Sequence, residues 1–136
     1  MKILLYDGTF NGLLSAIFDS YQLKVTVGRF VPEFEHGATL FGEPLTCIFD
    51  KSKAERVRKG IVKKTSKKAV KMLYRTFLSE ETDIEMRIYQ YVKSAMASPI
   101  SIENNFLDDN VLHLSKVNKK IGREVHRMHA FVRFQL

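Results

Sequence analysis

The chain has one cysteine, Cys47, among its 136 residues. A single thiol excludes a disulfide within the chain and any cysteine cage for zinc or an iron–sulfur cluster. No metal and no cofactor is expected within this chain. Proline is scarce too, at three residues. Pro32 and Pro44 fall in a glycine-containing stretch read as mostly loop, residues 28–44, and Pro99 should end a helix. No apolar run reaches the roughly 18 residues of a membrane span. The opening "MKILLYDGTF" reads as a buried strand and a turn rather than a signal peptide. No repeat and no low-complexity linker interrupts the chain, so it reads as a single domain, 1–136. The expected setting is cytoplasmic, without a membrane.

What is present is positive charge. Lys and Arg number 22 against 15 Asp and Glu, a net charge of +7. Half of the basic residues fall between positions 51 and 75: Lys51, Lys53, Arg56, Arg58, Lys59, Lys63, Lys64, Lys67, Lys68, Lys71 and Arg75. Glu55 is the only acid among them. A second group follows at Lys116, Lys119, Lys120, Arg123, Arg127 and Arg133. Clustered cations suit a polyanion, because each neutralised phosphate releases counterions. A solvated lysine-rich surface is the plainer alternative.

Hydrophobic spacing places these charges on helices. "KILLY" (2–6) suits a strand covered on both faces. Thr9 is positioned to cap a helix whose apolar residues Phe10, Leu13, Leu14, Ile17, Phe18 and Tyr21 share one face. "LKVTV" (23–27) and "LTCIF" (45–49) read as strands. Asp50 should cap a helix with Ala54, Val57 and Ile61 inward, and Gly60 leaves its end open. Thr65 or Ser66 should cap the next, with Val70, Leu73, Tyr74, Phe77 and Leu78 inward. Thr82 and Glu85 form a capping box ahead of Ile84, Ile88, Tyr91 and Val92. A last helix should start near Asp108 or Asp109, with Leu107, Val111, Leu114, Val117, Ile121, Val125 and Met128 as its inner stripe. Phe131 should continue that burial. Lys116, Lys120, Arg123 and Arg127 fall opposite, with His113 at the margin. The class is α+β: a small N-terminal sheet with a helical majority packed beside it.

Several blocks resemble a bacterial family, a domain of unknown function linked to DNA repair or DNA metabolism. They are "YDGTFNGLLSAIFDSY" (6–21), "LF" (40–41), "DKSKAERVRKGI" (50–61), "FLSEE" (77–81) and "EVHRMHAFVRF" (124–134). Ala130 stands where many relatives carry glycine. The resemblance spans essentially the whole chain and implies a longer protein of which this is the N-terminal half. The closing run "AFVRFQL" reads as strand-like and agrees with that expectation. The resemblance also implies a radical-SAM iron–sulfur protein as partner, and some members are fused to a uracil-DNA-glycosylase-like domain. It transfers no catalytic residue.

The expected function is a DNA-associated protein holding phosphates through Lys51, Arg56, Lys63, Lys64, Lys67, Lys68, Lys71, Arg75, Lys116, Lys120, Arg123 and Arg127. The alternatives are a nucleic-acid-modifying enzyme subunit, completed by a C-terminal half or by the radical-SAM partner, and a protein-interaction module with a basic face. Catalytic candidates are weak. Asp7 ends a strand before a helix, a common place for a functional carboxylate but more often for a turn-forming or helix-capping one. His126 and His129 lack a placed third ligand. Arg133, read as lying beyond the last helix, would need a carboxylate such as Asp7. Tyr89 offers a ring for stacking, whereas Tyr91 fits the core.

Overall fold

The computed structural model describes the backbone of residues 2–35 and 44–134, and side chains as far as Val125. The order is β1 (Lys2–Tyr6), α1 (Phe10–Gln22), β2 (Val27–Pro32), a 3-10 turn (Glu33–Glu35), β3 (Pro44–Thr46), α2 (Lys51–Lys64), α3 (Lys67–Leu78), α4 (Ile84–Ala97) and α5 (Asp109–Phe134). This is an α+β fold. The strands form a parallel sheet in the order β2-β1-β3, with Leu4 opposite both Phe30 and Leu45. The continuous apolar run of β1 follows from its central place: Leu4, Leu5 and Tyr6 are all buried. Pro32 is tolerated because β2 is an edge strand.

One core links the sheet to all five helices, from Leu4, Tyr6 and Phe30 to Ile61, Leu73, Ile88, Tyr91 and Leu114. α1 is buried along most of its length, so its sequence is almost free of charge. Helix starts follow the expected caps. Thr9 accepts from Gly12 N, Asp50 from Ser52 N and Lys53 N, Ser66 from Ala69 N, and Asp108 from Asn110 N and Val111 N. Each cap is worth about 1 kcal/mol. α4 ends at Ala97, two residues before Pro99.

Elsewhere the structure corrects the sequence reading. Residues 23–26 are not strand. Leu23 caps α1 and Lys24 takes a left-handed φ of 53°, so β2 begins only at Val27 and fills part of the stretch expected to be loop. β3 is three residues long, and Ile48 and Phe49 are exposed. α2 continues through Gly60 to Lys64, and a β-carbon at Gly60 would lie 2.7 Å from the terminal methyl of Met96 in α4. The Thr82–Glu85 box does not form. Asp83 precedes α4 in a left-handed conformation without a side-chain cap, and Glu85 lies instead 3.5 Å from the buried Tyr6 hydroxyl. Leu107 is 98% exposed, since Asp108 starts the helix after it, and Val125 is 43% exposed. Residues 131–134 belong to α5, so Arg133 does not lie in a strand beyond it. The four, three and four spacing of Ile121, Val125, Met128 and Val132 continues a helical period that a short apolar run disguises. The side chains of Met128 and Phe131 lie outside the described residues.

Candidate nucleic-acid interface and adjoining cleft

α2 buries only Ala54, Val57 and Ile61, and α3 only Ala69, Val70, Leu73 and Thr76. Their outer sides carry exposed Lys51, Arg56, Lys59, Lys63, Lys67, Lys68 and Lys71. On α5, Lys116, Lys120 and Arg123 are exposed. Among the described residues the ion pairs are Lys53–Asp19, Arg58–Glu55, Arg87–Asp109 and His113–Glu81, and none uses these ten cations. α3 packs on α5, with the Arg75 guanidinium against Gly122. That contact brings the two basic segments of the sequence next to each other.

Not every expected contact residue is free. Lys64 is partly buried and donates to the Ser98 carbonyl at 3.4 Å. Arg75 is half-buried, and Arg56 lies over the Phe18 ring, 5.2 Å from its centroid. Lys53 binds Asp19 at 2.7 Å. His113 is 3.3 Å from Glu81. The side chains of His126, Arg127, His129 and Arg133 lie outside the described residues. Among the described residues no group of three or more His, Cys, Asp or Glu converges. Tyr89 is buried against Phe30, at 5.2 Å between centroids, so it presents no ring for stacking; Tyr91 is fully buried, as expected.

Asp7 has a structural task. Its Oδ1 accepts from Thr9 N at 2.9 Å and from Thr9 Oγ1 at 2.7 Å, while Thr9 Oγ1 accepts from Gly12 N. The carboxylate thereby occupies the N-terminus of α1, where the helix dipole favours a negative charge. Gly8 makes the turn with φ of +87°, beneath the exposed Phe34 ring.

Beside this turn opens a cleft of about 530 Å³, lined by Gly8, Thr9, Phe10, Asn11, Arg58, Tyr74, Phe77 and Leu78. It lies beyond the carboxyl end of β1. The chain leaves β1 for β2 on one side and returns to β3 on the other, the topology at which parallel sheets open crevices. Arg58 Nη2 donates to Asn11 Oδ1, and its Nε makes no hydrogen bond. Tyr74 and Leu78, expected inward, are 47% and 57% exposed and face this cleft. Sequence reasoning missed them because their apolar character outweighed that of Ala69 and Thr76, which hold the buried side instead.

Two titrating groups nearby are displaced by their surroundings. Burial raises the Tyr6 phenol, and the Glu85 carboxylate raises it further. Burial likewise raises Glu85 above its ordinary 4.5. Neither lines the cleft.

The fold and the unpaired cations together define an α+β protein with basic-faced helices. Residues 82–136, which span α4, the following connection and α5, match the family model of a domain of unknown function, DUF4130. No curated protein and no solved structure matches the chain. No helix among the described residues is long and apolar enough to cross a membrane.

Proposed function

We propose that the protein binds DNA through its phosphate backbone, using the outer faces of α2 and α3 and the basic stripe of α5. The supporting observation is that exposed, unpaired cations from two distant segments lie on helices that touch at Arg75 and Gly122. Lysines four apart, such as Lys59 and Lys63 or Lys67 and Lys71, cost an isolated helix a few tenths of a kcal/mol each. α3 also begins with two lysines, behind the neutral cap Ser66, and carries no acid in its first turn. The helix dipole disfavours cations there and favours anions. A row of phosphates reverses both penalties. We further propose that this binding serves DNA repair or metabolism in the cytoplasm, with a radical-SAM iron–sulfur protein as partner; the family resemblance supports the repair role and that partner.

The test is the salt dependence of binding to duplex DNA. Replacing Lys63, Lys67, Lys68 and Lys71 with Gln should weaken binding about equally across sequences. It should also flatten the slope of log K against log salt by roughly 0.9 per lost contact. An unchanged slope removes these helices from the binding surface. Competition by plain duplex DNA separates this reading from docking of an acidic protein.

A further inference from the structure

We propose that the cleft beyond β1 takes an unpaired base of single-stranded nucleic acid, stacked on Tyr74, with the adjoining phosphate held by Arg58. The inference deepens the phosphate-binding reading and rests on it. On α3, Lys67, Lys71, Tyr74 and Leu78 follow at spacings of four, three and four, so they form one stripe. All four are exposed. The stripe begins as cations and ends as an aromatic ring and a leucine, at the mouth of the cleft. A strand whose phosphates follow the lysines is therefore led to a surface suited to a base.

The ring is set for that role. Phe10 meets Tyr74 edge-to-face at 5.4 Å and 75°, and Phe10 is itself buried at 4% exposure. A ring fixed by a core residue loses little freedom when a base stacks on it. Base–aromatic stacking tolerates any sequence because every base has a π face. Arg58, whose Nε also lies 3.8 Å from the partly exposed Glu55 carboxylate, supplies a cation within the same cleft. Asn11 accepts from it through Oδ1, which leaves the Asn11 amide nitrogen as a donor for a base edge. The N-terminus of α1 does not serve as an anion site, because the Asp7 carboxylate already occupies it. Charge recognition in the cleft thus falls to Arg58. Duplex DNA keeps its bases stacked inside and offers none to the cleft, so the occupant is single-stranded.

The experiment measures binding of the full chain to a short oligonucleotide carrying one 2-aminopurine, in single-stranded deoxyribo and ribo forms and as a duplex. The variants are Tyr74→Ala and Tyr74→Phe, with circular dichroism confirming that each is folded. The intact chain should quench the single-stranded probe. Tyr74→Ala should abolish the quench and lower single-strand affinity about tenfold, leaving duplex affinity within about twofold, while Tyr74→Phe keeps both. Single-strand affinity unchanged in Tyr74→Ala, or an equal loss for single strand and duplex, overturns the proposal. The lysine variants report separately. If they lose duplex affinity while Tyr74→Ala changes nothing, the cleft assignment fails and the phosphate reading stands. The two sugar forms show whether the strand is DNA or RNA.

Discussion

The Asp7 carboxylate rests on the backbone of Gly12: a β-carbon at Gly12 would lie 1.8 Å from Asp7 Oδ1. The two residues and Thr9 form a closed clasp at the junction of β1 and α1. The close approach explains why glycine stands in the first turn of a helix otherwise rich in larger apolar residues. In the clasp Asp7 accepts from the Thr9 cap through both the backbone N–H and the hydroxyl.

The clasp predicts strong non-additivity. Asp7→Ala should cost about 1 kcal/mol, the usual size of a lost hydrogen bond to the Thr9 cap together with a favourable contact at the helix N-terminus. Gly12→Ala should cost at least as much, because the new methyl group expels Asp7 from Thr9. With Asp7 already removed, Gly12→Ala should become neutral or stabilise by up to about 1 kcal/mol through helix propensity. Urea denaturation of the four proteins measures the coupling, and additive costs would show that the clasp does not hold.

Local signals were legible in the sequence. Thr9, Asp50, Ser66 and Asp108 each cap a helix where a short polar residue precedes an apolar period. The central strand was readable because a parallel strand covered on both faces needs no alternation. The failures concern which side of an element is covered. Periodicity shows that Lys67, Lys71, Tyr74 and Leu78 share a face, but only packing decides that this face is open. Glu85 was assigned to a box with Thr82, whereas its carboxylate lies 3.5 Å from the hydroxyl of Tyr6, distant in sequence. The cleft was illegible for the same reason, since Asn11, Arg58 and Tyr74 meet only through the packing of three helices.

Lys53 and Lys63 should behave differently although both lie in α2. Lys53 is held by Asp19 at 2.7 Å, whereas Lys63 is exposed and takes no part in the ion pairs of the described residues. Lys53→Gln should lower thermal stability and leave the salt slope of DNA binding unchanged. Lys63→Gln should leave stability unchanged and flatten the slope by roughly 0.9. Thermal melts and salt titrations distinguish them, and an exchange of the two phenotypes would refute the assignment.

Cys47 should be inert at neutral pH. It is 6% exposed, and burial, with Asp19 beside it, pushes the thiol up to about 11. The thiolate is the reactive form. A thiol reagent at pH 8 should therefore label the native chain far more slowly than the urea-unfolded chain, by about a hundredfold or more. Equal rates would show that Cys47 is not buried in the native chain.

Glu85 gives the fold a pH dependence of definite sign. Burial raises its pKa above the 4.5 of a free glutamate, so the folded chain takes up a proton at a higher pH than the unfolded chain does. Above the folded pKa both states are ionised, and burial of the charge opposes folding. As pH falls through the folded value toward 4.5, this opposition is progressively relieved, and below 4.5 both states are protonated and it is gone. Glu85→Gln keeps an acceptor for the Tyr6 hydroxyl and removes the charge. The variant should be more stable than the parent at pH 7, and the gap should narrow through the window above 4.5 and close beneath it. Urea denaturation from pH 7 to pH 4 checks the curve. A gap that persists at pH 4, or a variant less stable at pH 7, would mean that the charged form of Glu85 is favoured where it stands.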